Sequence, residues 1–142
     1  MSLDNYRIKI NDAMKIARQY YDKETYDHAI RVAGYVADNE AIPSVFREDC
    51  VCLAVMHDLL EDTDYNPTGL PPSFKEALKL LTKPKEISYK DYCRSLQCYH
   101  GTSEKICAYF VKLADMKDHL MLKETLTDKL KEKYLEGLAE LL

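Results

Sequence analysis

Glycine is scarce in this 142-residue chain: only Gly34, Gly69, Gly101 and Gly137 occur, and no two fall within a short window. A Walker loop and a dinucleotide fingerprint each need closely spaced glycines, so both are excluded. Any phosphate handled here must be held by side chains and metal ions rather than by a backbone cradle. Basic charge is also in deficit, with 20 Lys and Arg against 24 Asp and Glu, a net charge of −4. The pI near 5.6 gives no overall footprint for nucleic acid. No apolar run approaches the roughly 20 residues of a membrane span, and the stretch Met1 to Arg7 lacks the apolar core of a signal peptide. With no export signal, the five cysteines are expected to be reduced, buried thiols of a cytoplasmic protein. Cys50 and Cys52 fall on different helix faces, and neither they nor Cys93 and Cys98 have the spacing of a zinc knuckle.

What is present is helical periodicity. Ile8, Ala13, Met14, Ile16, Ala17 and Tyr20 predict an amphipathic helix over 4–20. Ile30, Val32, Ala33, Val36 and Ala37 predict a second over 25–39. A third starts at Pro43-Ser44 and carries Val51-Cys-Leu-Ala-Val-Met56, a run apolar on every side that suits the centre of a bundle. Asn66-Pro67, Gly69 and Pro71-Pro72 mark 63–72 as a loop. Short helices are expected over 73–81 and 88–98, the latter opened by a Ser88 cap. Thr102-Ser103 caps another helix running through Ala114, and a last amphipathic helix fills 127–142. No segment alternates as a strand and no repeat or linker interrupts the chain. The expectation is an all-α helical bundle in a single domain, residues 1–142, with enough chain to bury ~70% of its unfolded surface.

Charge is uneven. The stretch His57-Asp-Leu-Leu-Glu-Asp-Thr-Asp64 holds four acids directly after the apolar run, at a helix end where the macrodipole disfavours anions. On a continuous helix Asp58 faces Glu61 and Asp62 at i+3 and i+4, where like charges repel. The run suits a solvated helix end, or a compensating cation, for which a metal is the simplest candidate. The neighbouring His57 and Asp58 can turn toward one ion. His28 and Asp115, the latter alone on an otherwise apolar helix, are the candidates for two further ligands. His100, in the Tyr99-His-Gly loop, has no assigned role.

These residues stand in the order H…HD…D of the HD-domain metal-dependent phosphohydrolases. His28-Ala-Ile-Arg-Val-Ala33 resembles that family's HP-x-R-V-A. His57-Asp-Leu-Leu-Glu-Asp-Thr63 is similar to the HD-x-x-ED-T, and Lys112-Leu-Ala-Asp115 to the KLAD, of RelA/SpoT-type (p)ppGpp hydrolases and their small stand-alone relatives. Ser88-Tyr-Lys-Asp-Tyr92 resembles the SY-x-x-Y of small bacterial members. The resemblance implies an HD-type bundle with one divalent transition metal on His28, His57, Asp58 and Asp115. Manganese is the family's common ion, with iron, cobalt or zinc also compatible with two imidazoles and two carboxylates. It implies Glu61 and Asp62 as catalytic acids, one turn beyond His57 and Asp58, and Arg18, Lys112 and His119 as substrate-binding residues. His119 stands where the family usually has Asn, and Arg18 is what remains of a longer basic run. From Lys75 to Arg94 basic residues exceed acids by three, a face that could screen an anion or simply be solvated.

The function implied is hydrolysis of a nucleotide phosphate ester or anhydride, with the (p)ppGpp 3′-pyrophosphate leading and a nucleoside mono- or triphosphate second. The partner is then a small phosphorylated nucleotide, with neither nucleic acid nor membrane involved. A non-catalytic helical nucleotide sensor would have no need of Glu61 and Asp62, and a metal-free interaction module leaves the acidic run unexplained.

Overall fold

The computed structural model describes residues 8–97, 101–122 and 124–142. Helix α1 spans Ile10–Tyr20, with Ala13 and Ala17 as its buried stripe. It begins later than its periodicity suggests, because Lys9 is extended and occupies the N-cap position; residues 4–7 lie outside the described residues. Helix α2, Lys23–Asp38, starts two residues before its apolar stripe would require. The Asp22 carboxylate accepts the Thr25 N–H at 2.8 Å, satisfying one orphan donor of the first turn. Helix α3 is Ser44–Met56 and is buried almost all round over its last two turns.

The chain then breaks where the sequence suggested continuity. His57 Nδ1 lies 2.6 Å from the Ala54 carbonyl. A continuous helix would need that carbonyl for the Asp58 N–H, which instead bonds the Tyr21 hydroxyl at 3.0 Å. Asp58 has φ −95° and ψ 0°, in the sparsely populated bridge region where many active-site residues sit. Helix α4, Leu59–Asp62, resumes for a single turn.

A 3-10 turn, Pro67–Gly69, interrupts the following loop. Helices α5, Pro72–Leu80, and α6, Tyr89–Ser95, follow, the second capped by Ser88, whose hydroxyl accepts the Asp91 N–H at 3.0 Å. Helix α7, Ser103–Met121, is capped by Thr102 and runs two turns past its last expected apolar residue. Helix α8, Asp128–Leu141, is capped by Thr127. The described residues contain no strand.

Two helices share the centre. Helix α3 packs on α1, α2, α5 and α7, while α7 packs on α2, α3, α5 and α8. Their buried faces merge into one apolar core that includes Val36, Leu53, Met56, Leu78, Val111 and Met116. Cys50, Cys52, Cys93 and Cys107 are thiols outside any disulfide and are buried within it, whereas Cys98 and His100 lie outside the described residues. No described helix is long and apolar enough to cross a membrane.

Helix α8 approaches α6 and α7 closely at Gly137. A Cβ there would sit 2.6 Å from Tyr89 Cε2 and 2.7 Å from Met116 Cε. Gly34, on the exposed side of α2, has nothing within 4 Å of the same position. Gly137→Ala should therefore destabilise by about 1–3 kcal/mol despite its better helix propensity. Gly34→Ala should stabilise by roughly 0.5–1 kcal/mol. Urea melts of the two variants check the opposite signs.

Candidate metal centre

Helices α2 and α7 and the α3–α4 break bring two imidazoles and two carboxylates to one point. His28 is on the second turn of α2, His57 and Asp58 occupy the break, and Asp115 is in the middle of α7. Asp115 is 4% exposed, and its Oδ1 lies 2.8 Å from His28 Nε2 and 3.2 Å from His57 Nε2. Asp58 Oδ2 is 3.6 Å from His28 Nε2 and 3.2 Å from His57 Nε2. The separations of 2.8–3.6 Å bracket the ~3 Å edge of an octahedron whose metal–ligand bonds are ~2.1 Å.

The outer nitrogens of both imidazoles are already engaged. His57 Nδ1 contacts the Ala54 carbonyl, and His28 Nδ1 is 2.6 Å from Asp118 Oδ2. Each of these acceptors favours the proton on Nδ1, which points the Nε2 lone pair inward at the carboxylates. Lone pairs facing carboxylate oxygens are repulsive unless a cation or added protons intervene. The donor set therefore fits a divalent transition ion, two imidazoles and two carboxylates being borderline-hard.

The surrounding side chains hold these donors. Arg31 Nε donates to Asp118 Oδ1 at 2.8 Å, so Arg31, Asp118 and His28 form a relay of the kind that orients metal-binding imidazoles. The Arg31 and His28 charges hold the Asp118 carboxyl below its usual range, outweighing burial. Lys112 is buried, and its Nζ donates to Asp115 Oδ2 at 2.9 Å while lying 5.2 Å and 5.5 Å from the ring centroids of Tyr89 and Tyr92. Burial alone would depress this amine, but Asp115 and the two aromatic neighbours raise it well above the ordinary lysine value. In turn Asp115 is held well below the carboxylate range, burial being overcome by Lys112 and the three surrounding histidines.

Asp62, His119, His28 and Asp58 line a cleft of about 410 Å³, with Thr25, Arg31 and Thr125 among the other walls. Burial and the nearby Asp58 raise the Asp62 carboxyl. Glu61 is raised by burial too, but it turns the other way, where Oε2 accepts the Lys83 N–H at 3.3 Å. Glu61 and Asp62 are consecutive on α4, about 100° apart around the helix, and of the two only Asp62 lines the cleft. Arg18 is on the exposed face of α1, with Nε donating to the Tyr26 hydroxyl at 3.1 Å. His119 stacks on Tyr134 of α8, with ring centroids 4.6 Å apart and planes 5° from parallel. A larger groove of about 1050 Å³ between α2, α7 and α8 is mainly apolar and contains none of the clustered residues.

Sequence reading had no handle on Asp118, Arg31 as its partner, or Tyr21. The one available signal was that Asp118 lies three residues beyond Asp115, on the same side of α7.

No family model matches the sequence, and no curated protein matches it. Among solved structures the chain is similar to a metazoan ortholog of SpoT that hydrolyses ppGpp and plays a role in starvation responses. The TM-score is 0.66 at 19% identity, over 96% of this chain and 84% of that one. The likeness is one of fold: the all-α bundle is shared with that protein.

Two predictions follow from the donor cluster. Burial would depress His57, but Asp58 and Asp115 outweigh it and push the imidazole up to about 9. A pKa raised on folding gives stability that is complete below the unfolded value of about 6.5 and is lost as pH rises through the folded value. Chelated protein should therefore melt at a lower temperature at pH 9 than at pH 6.5. Added divalent ion should reverse the slope, because metal competes with the same protons. Asp118→Asn should weaken metal binding by about 10- to 100-fold through loss of the His28 relay, measured by competition against a chromophoric chelator.

Proposed function

We propose that the protein is a metal-dependent phosphohydrolase of phosphorylated nucleotides, cleaving the (p)ppGpp 3′-pyrophosphate by preference. The observation that carries this reading is the inward convergence of His28 Nε2, His57 Nε2, Asp58 Oδ2 and Asp115 Oδ1, with both outer imidazole nitrogens already engaged. These four residues would hold one divalent ion, of which manganese is the family's common choice. When bound, such an ion polarises a phosphoryl oxygen and lowers the pKa of an attacking water.

The chain's own groups supply the rest. Asp62, raised and facing the cleft, accepts the proton of the attacking water while the phosphorus–oxygen bond to the leaving group breaks. Glu61 assists from behind, positioned by the Lys83 N–H. Tyr21 fixes the Asp58 backbone, Arg31 and Asp118 fix His28, and Lys112 neutralises Asp115. Arg18, from the exposed face of α1, and His119, from the cleft wall, are the substrate-side residues. The protein acts as a single domain in the cytoplasm, on a small molecule.

A nucleoside monophosphate is the second reading, favoured by the shortage of free cations at the cleft. Arg31 is bound to Asp118, while Glu24, Asp27, Asp58 and Asp62 face the same space. A substrate with phosphates at both ends meets little positive charge there beyond the ion.

A manganese-supplemented panel of ppGpp, dNTPs, dNMPs and simple esters tests both readings by phosphate and pyrophosphate release. Asp62→Asn should lower turnover at least about 100-fold while metal stays near one equivalent per chain, and Glu61→Gln should fall less. Unchanged turnover in Asp62→Asn removes it as the base, and a metal-replete wild type that is inert on the whole panel refutes the hydrolase.

A further inference from the structure

Three imidazoles, not two, point at the same carboxylate oxygen. His119 Nε2 is 3.2 Å from Asp115 Oδ1, the atom that also receives His28 at 2.8 Å and His57 at 3.2 Å. A carboxylate oxygen has two lone-pair directions, so it cannot accept three N–H groups in good geometry. Lys112 donates to the second oxygen at 2.9 Å, and all three imidazole contacts fall on the first. At least one of the three nitrogens therefore faces Oδ1 without a hydrogen bond to make.

The ring is also held in place. Asp115 and His119 are four apart on α7, the spacing at which one helix presents two donors to one ion. Tyr134 covers one side of the imidazole, 4.6 Å away and 5° from parallel, and His28 lies 4.7 Å from it. A side chain 34% exposed would ordinarily keep its rotamer freedom, and here it is confined with Nε2 toward the cluster. One ligand atom from each of His28, Asp115 and His119 lies within 4.8 Å of the others, as does one from each of His28, His57 and Asp58.

We infer that His119 is a fifth protein donor to the metal site, completing a set of three imidazoles and two carboxylates. The inference rests on the proposed metal centre and extends it in two ways. Nitrogen-rich sites favour iron, cobalt, nickel and zinc over manganese and magnesium, so this chain selects a softer ion than four donors would. With five protein donors a six-coordinate ion would keep one open position, so it would polarise the phosphoryl oxygen while Asp62 alone activated the water.

The test is metal binding by the full chain, with cobalt and manganese titrated into metal-stripped protein against a chromophoric chelator. His119→Ala and His119→Gln should each lose at least about tenfold in cobalt affinity, with a smaller loss for manganese and a changed visible cobalt spectrum. X-ray absorption of the cobalt-loaded wild type should count three imidazoles, a measurement that needs no variant to fold. Two imidazoles, or wild-type affinity and spectrum in both variants, overturns the inference and leaves the phosphohydrolase reading intact. Recovery of wild-type cobalt affinity in His119→Gln alone also overturns it, since glutamine keeps a hydrogen-bond donor for Asp115. Failure of the wild type to bind either ion refutes both proposals together.

Discussion

The Asp115 carboxylate is the interaction on which the arrangement depends. A buried anion in the middle of an apolar helix is expensive unless paired, and this one is met from every accessible side. Helix α2 contributes His28, the α3–α4 break contributes His57, and α7 itself contributes Lys112 and His119. The packing of α2, α3 and α7 is thus set by charge as well as by the apolar core. The two more peripheral helices serve the same centre. Helix α6 supplies Tyr89 and Tyr92 around the Lys112 ammonium, and α8 supplies Tyr134 behind His119. Gly137 allows α8 close enough for this, with Tyr89 and Met116 filling the space a side chain would take.

Much of this was legible in the chain because it follows from local rules. Periodicity marks the helices, and Ser88 and Thr102 act as caps where their positions indicate. His57, Asp58 and Asp115 stood out as costly residues beside apolar stripes, with His28 as a further candidate, whereas the proposed ligand set as a whole came from the resemblance. What stayed hidden depends on contacts between distant segments. The break after Met56 arises because His57 Nδ1 takes the Ala54 carbonyl and Tyr21, 37 positions earlier, takes the Asp58 N–H. No helical spacing encodes that exchange. Asp118 looks like any charge near a helix end until Arg31 and His28 are brought against it across 87 and 90 residues. Lys112 is the reverse case: the resemblance implied a substrate-binding residue, yet its ammonium is buried and bonded to Asp115 one turn away on the same helix.

Glycine poverty and the acidity of the cleft bear on one another. Without a backbone cradle, an anionic ligand must find its positive charge in side chains or ions. The walls of the 410 Å³ cleft are dominated by carboxylates, and their one guanidinium is committed to Asp118. A phosphate entering that space meets net repulsion until a cation neutralises the centre. Metal occupancy therefore comes before any substrate question, and the ordering follows from charge alone.

The same logic joins stability to function. In the absence of an ion, the inward lone pairs of His28 and His57 are reconciled with Asp58 and Asp115 by taking up protons, which explains why both imidazoles are raised despite burial. A divalent ion would replace those protons with one charge that satisfies all the donors at once. The site would then be a point of strain in the ion-free fold at high pH and a point of anchorage with the ion bound. A cluster evolved only to hold helices together would be better served by apolar side chains, which avoid the desolvation of several ionised groups. That His28, His57, Asp58 and Asp115 meet at the junction of three helices, with His28 and Asp58 lining an open cleft, is the physical reason to propose the chemistry there.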